Sequence, residues 1–111
     1  MDDKIEVQLT LTRDTPNSVN YLDTYVGLDR IWYRFESDAK GNVTLWANSD
    51  GFEHLARYFL KLARAGKTVG YHAHHSLEYS GPPGSPELTI IFAQAPAGFF
   101  GPEEASKSSV K

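Results

Sequence analysis

The stretch from residue 50 to 65 constrains this chain more than any other. Phe52, Leu55, Ala56, Phe59, Leu62 and Ala63 recur there at three- and four-residue intervals, the spacing of one helix face. Asp50 is expected as the N-cap, with Glu53 three residues on completing a capping box. Gly66 follows and can take the left-handed conformation that stops a helix. Arg57, Lys61 and Arg64 fall on the opposite side, and Glu53 precedes Arg57 by four. An apolar stripe of this kind has to be covered, and the flanking sequence offers only strands to cover it.

Those strands are read from alternation. In residues 4–12, Ile5, Val7, Leu9 and Leu11 share one face, as expected of a half-buried antiparallel strand. Residues 13–18 carry a turn signature, and 19–29 fit either a helical turn or an extended segment. Residues 30–36 form the second predicted strand, with Ile31, Tyr33 and Phe35 on one face and Trp32 and Arg34 on the other. A short loop leads to the third, Val43–Ala47, where Trp46 faces away from Val43, Leu45 and Ala47. After the helix, residues 67–79 place His72, His74, Ser76 and Glu78 on one strand face. The proline- and glycine-rich run 80–86 is a loop, and residues 87–94 return as a hairpin partner. The expectation is an α+β domain over residues 1–95, with a five-strand antiparallel sheet in the order βββαββ and one long helix across one face. Residues 96–111 are expected to be a mobile tail, with Phe99 and Phe100 able to dock.

Composition narrows the function classes. The 111 residues suffice for one core, and cysteine is absent, which removes disulfides and thiolate metal sites. No apolar run approaches the roughly 18 residues of a membrane span. The N-terminus lacks a signal-peptide pattern, so a cytoplasmic location without membrane attachment is expected. A net charge of −3 argues against a nucleic-acid partner, which a basic face would serve. The charge is uneven: residues 54–77 hold four basic side chains and no acidic one. Arg57 and Lys61 are thus candidates for a docking face toward an acidic partner, or for a solvated helix face.

The histidine strand holds the candidate chemistry. His72, His74 and Glu78 share one face and are candidate metal ligands. They also read as surface or interface residues, the reading the sequence favours, or as a general acid–base site. The spacing from Gly66 through His72 and His74 to Glu78 resembles the first cupin motif, but the downstream histidine of the second motif is missing. Ser76 is too far along the strand to aim at His74, and there is neither a nucleophile elbow nor a phosphate-binding glycine loop. Nothing in the sequence demands an enzyme or a cofactor. Trp32, Arg34 and Trp46, on the open sheet face, have the composition of a protein-binding surface, with the two tryptophans as a cross-strand pair. The other use is a second small core beneath residues 19–29 and Phe99–Phe100.

Between Trp46 and Phe92 the chain resembles the immunity protein 32 family of bacterial polymorphic-toxin systems. The resemblance lies in Trp46-Ala47-Asn48 before the helix, Gly51-Phe52 opening it, and Leu55-Ala56 and Leu62-Ala63 along it. Tyr71-His72-Ala73-His74 and Glu87-Leu88-Thr89-Ile90-Ile91 complete the pattern. It implies a small cytoplasmic α+β protein that binds and neutralises a cognate toxin domain and has no catalysis of its own. The candidate contact surface is His72, His74, Glu78, Trp32, Arg34, Trp46, Arg57 and Lys61. Exposed edge strands also allow a homodimer.

Overall fold

A computed structural model describes residues 3–15, 18–23, 28–65 and 69–101. After a single 3-10 turn at Leu28–Arg30 come strands β1 (Tyr33–Ser37) and β2 (Val43–Ala47), helix α1 (Ser49–Arg64), and strands β3 (His72–Ser76) and β4 (Glu87–Ile91). The class is α+β, but the order is ββαββ, and the strands form two separate two-stranded antiparallel sheets. The single five-strand sheet expected from alternation does not form. A lone bridge between Arg34 and Glu78 links the two hairpins. It is supported by Phe35 N–H donating to Leu77 O at 2.9 Å and Tyr79 N–H donating to Tyr33 O at 3.0 Å.

Residues 4–12 are not a strand. Ile5 is 90% exposed and Val7 72%. Alternation describes which side chains share a face, whereas a strand also needs a neighbour's backbone groups, and none is offered here. What holds this segment is charge and polar contact. Thr12 donates its N–H to Asp23 Oδ2 at 2.9 Å and its hydroxyl to Asp23 Oδ1 at 3.1 Å. Arg57 donates to the carbonyl of Thr10 at 2.6 Å.

The β1–β2 hairpin is closed by Asp38, whose carboxylate accepts from the N–H groups of Lys40 and Asn42. Hydrogen bonds from Asn42, backbone and then side chain, hold this carboxyl below the usual aspartate range. Gly41 takes φ of 87° at the turn, a conformation costly for residues with a Cβ. The β3–β4 hairpin pairs His72 with Ile91 and His74 with Thr89. Its proline-rich loop is tied by Leu77 N–H donating to Pro86 O at 3.1 Å.

The helix forms where expected but is capped and turned differently. Its N-cap is Asn48, not Asp50. Asn48 Oδ1 accepts from Gly51 N–H at 2.7 Å and from Trp32 N–H at 3.2 Å, while its Nδ2 donates to Arg30 O at 2.8 Å. One side chain therefore caps the helix and fastens it to the chain before β1. Asp50 lies in the first turn, 3.9 Å from Arg30, where a carboxylate suits the positive end of the helix dipole. Glu53 pairs with Arg57 at 2.9 Å rather than closing a capping box. The stop signal at Gly66 lies outside the described residues.

The buried positions of α1 are Gly51, His54, Leu55, Arg57, Tyr58 and Lys61. Phe52, Ala56, Phe59, Leu60 and Ala63 face outward. At 3.6 residues per turn, the buried face is rotated by roughly a third of a turn from the apolar stripe. The core is correspondingly small: Ile31, Tyr33 and Leu55, flanked by Tyr21, Phe35, Ala47 and Tyr79. The expected division of residues 30–36 into inner Ile31, Tyr33 and Phe35 and outer Trp32 and Arg34 is what is found. No helix among the described residues is long and apolar enough to cross a membrane.

Candidate functional site

Two strand registers and one bridge build a row of side chains across the outward sheet face. Trp46 on β2 pairs with Arg34 on β1, and Arg34 pairs with Glu78 just beyond β3. Residues directly opposite in antiparallel pairs project to the same side, so Trp46, Arg34 and Glu78 lie side by side. Trp32, two residues before Arg34, extends the row. Its indole N–H reaches Glu78 Oε2 at 3.5 Å, and the Arg34 guanidinium stands 6.0 Å from its ring centroid. The partner directly opposite Trp46 is therefore Arg34, and the two tryptophans, expected as a cross-strand pair, are diagonal neighbours. Trp46 is half exposed and Trp32 somewhat less. Arg34 Nη2 lies 3.4 Å from Glu36, while its Nε is buried with no hydrogen-bond partner among the described residues. Phe99 and Phe100, expected as part of a second small core, are exposed and stack edge-on against each other.

His72 and His74 continue the same face along β3, their rings 5.2 Å apart. His72 Nδ1 meets Gly70 O at 3.1 Å. His74 Nδ1 meets the Thr89 hydroxyl at 3.1 Å and lies 3.9 Å from Glu87. Both Thr89 and Glu87 reach the same ring nitrogen. A relay needs a base with one nitrogen toward the nucleophile and the other toward the carboxylate, so this trio cannot act as one. Glu78 turns toward Trp32 instead. Among the described residues no group of three His, Asp or Glu is placed to hold a metal ion.

Arg57 and Lys61, candidates for the contact surface, belong to the interior. Arg57 is 7% exposed and Lys61 3%. Lys61 Nζ lies 3.6 Å from both Asp14 and Asp23, and Arg57 lies 3.8 Å from Asp23. Lys61 also donates to Asn20 O at 3.3 Å. A basic helix face that seemed solvated in sequence is the clamp holding Thr10, Asp14, Asn20 and Asp23 against α1. The signal available in sequence was that Arg57, Lys61 and Arg64 find only one carboxylate, Glu53, at helical spacing.

Beside this clamp lies a layer of tyrosine and histidine that sequence reasoning missed. His54 is fully buried, with Tyr21 at 4.6 Å and Tyr79 at 5.8 Å between ring centroids. Tyr21 stacks on His75 at 4.0 Å and hydrogen-bonds to the Tyr33 hydroxyl. The Tyr58 hydroxyl meets His75 Nε2 at 2.8 Å. Burial pushes the phenols of Tyr33 and Tyr58 up to about 12. Burial, helped by His75, pushes His54 down to about 4, with Asp23 acting against the shift and Lys61 with it. Burial and then His74 lower His75 as well. At neutral pH this layer is uncharged. An open cleft of about 300 Å³, lined in part by Tyr21, Tyr33, His75 and Tyr79, reaches it from the surface.

The depressed histidines make the fold acid-sensitive. Below the unfolded value of 6.5, the unfolded chain binds a proton that folded His54 refuses until about pH 4. Stability is therefore complete above pH 6.5 and falls as pH drops through that window. Acidifying from pH 7 to 5 is expected to cost about 2 kcal/mol at 1.36 kcal/mol per unit. Urea midpoints across this range check it, and His54→Phe should flatten the profile.

Comparison of the chain with protein-family models, curated proteins and solved structures finds no match.

Proposed function

We propose that this chain is a small cytoplasmic binding protein that neutralises a toxin domain by direct contact, as an immunity protein does. The observation that carries the reading is the Trp46–Arg34–Glu78 row with Trp32 beside it. Tryptophan and arginine are the residues most enriched among interface anchors. The strand ladders hold their backbones, so little conformational freedom is lost on binding. The chemistry fits a partner that offers a carboxylate to the Arg34 guanidinium and an apolar side chain between the two indoles. His72 and His74 widen the same face. The resemblance of residues 46–92 to the immunity family points the same way. For the metal-binding alternative, His72 and His74 have no third ligand among the described residues.

The test is to identify a secreted protein with a C-terminal toxin domain encoded next to this chain and to titrate that domain calorimetrically; absence of any such neighbour would also sink the reading. Trp46→Ala and Arg34→Ala should each weaken binding by at least about 2 kcal/mol, or roughly 30-fold, with unchanged circular dichroism. Failure of the wild-type protein to bind that domain would sink the reading. So would stoichiometric metal in the purified protein that disappears in His72→Ala.

A further inference from the structure

The outward face of α1 is used by neither the core nor the proposed contact surface. Phe52 is 53% exposed, Phe59 45% and Leu60 39%, with Ala56 and Ala63 exposed between them. The order along the stripe is Phe52, Ala56, Phe59, Ala63, at intervals of four, three and four. This is the spacing of a coiled-coil seam, and it reads large–small–large–small. Reversed, it reads small–large–small–large. Two copies of α1 packed antiparallel about a two-fold axis therefore set Phe52 of each copy against Ala63 of the other, and Phe59 against Ala56. Each bulky ring meets a small residue, the alternation that fills an interhelical seam without voids.

A cleft beside the stripe favours a second copy as occupant. A cleft of about 130 Å³, lined by Leu62, Ala63, Ile90, Ile91 and Phe92, lies where the pairing delivers the other copy's Phe52. An apolar cavity of ~150 Å³ holds a benzene ring, so the cleft has the size and lining for a phenyl group. The antiparallel arrangement also sets the two helix dipoles in opposition. Each patch is then self-complementary, as an isologous dimer requires.

We infer that the chain forms a two-fold homodimer through α1, with Phe52 of each protomer seated in the α1–β4 cleft of the other. The Trp46–Arg34–Glu78 row is not part of the seam and stays available to a partner. The two phenylalanines leave roughly 200 Å² open per chain, at ~200 Å² per aromatic. That is a small interface, so the dimer is expected to be weak and concentration-dependent rather than obligate.

Sedimentation equilibrium of the full chain should show reversible monomer–dimer exchange. Ala63→Glu and Phe59→Lys should each raise the dissociation constant about 100-fold or more while leaving circular dichroism and the melting curve unchanged. The chain has no native cysteine, so register can be read directly. A mixture of Phe52→Cys and Ala63→Cys chains should oxidise to a disulfide-linked heterodimer, and neither chain should cross-link comparably alone. A wild-type chain monomeric at every soluble concentration would overturn the inference. A dimer indifferent to Ala63→Glu would do so too, as would a monomer that loses toxin binding on Phe59→Lys, since the face would then belong to a foreign partner.

Discussion

Replacing Asp23 with alanine is expected to destabilise the fold by about 3–5 kcal/mol, the range for removing one member of a buried ion group. Asp23 is 1% exposed and lies between Arg57 and Lys61. It also accepts two hydrogen bonds from Thr12. Without its carboxylate, Lys61 keeps only the partly exposed Asp14 as an ionic partner among the described residues, and the anchor of Thr12 is lost. The cost comes from stranding buried charge, not from the attraction alone. The triple replacement Asp23→Leu, Arg57→Met, Lys61→Met should therefore recover most of the loss, because apolar groups of similar size often replace a buried ion group at little cost. Urea unfolding of the single and triple variants checks both. A single variant within 1 kcal/mol of wild type would mean, on the scale of isolated surface pairs, that the clamp contributes little.

Gly51→Ala is expected to cost about 3 kcal/mol, the upper end for overpacking. Helix propensity alone predicts the opposite sign, a gain of about 1 kcal/mol. The clash wins because an added Cβ would overlap the backbone carbonyl oxygen of Trp32, which cannot swing aside as a flexible side chain would. That carbonyl also accepts from Asn48 N–H at 3.2 Å. The substitution thus pushes the helix start away from the chain beside β1 and disturbs the cap. Trp32 should move with it, so tryptophan emission should change along with the urea midpoint. A variant more stable than wild type would show that the helix and β1 are not in such close contact.

The two hairpins and the helix were legible in sequence because each rests on local signals. Asp38, Gly41 and Asn42 close one turn, the proline-rich loop closes the other, and residues three and four apart mark the helix. The sides taken by Trp32, Arg34 and Trp46 were legible as well, since strand alternation assigns sides without knowing the partner; that Glu78 comes beside Arg34 was not, because it depends on the bridge between the two hairpins. The first segment was misread because Ile5, Val7 and Leu9 alternate without a neighbouring strand to complete the pattern. The N-cap shifted from Asp50 to Asn48 because the choice depended on Arg30 and Trp32, the helix's tertiary neighbours.

By itself, the sequence determined that a helix runs over about residues 50–65, that two hairpins flank it, and which strand positions of those hairpins point together. These follow from backbone periodicity and turn chemistry, which act within a few residues. Only the tertiary structure decided which side of the helix faces inward. Hydropathy ranks Phe52 and Phe59 above Arg57, Lys61 and His54, but the ranking assumes that a charge has nowhere to go. Here Asp14 and Asp23, more than thirty residues away in sequence, neutralise the two cations, and a ring of tyrosines encloses the histidine. Long-range charge pairing turned the helix, and so left its apolar stripe outside.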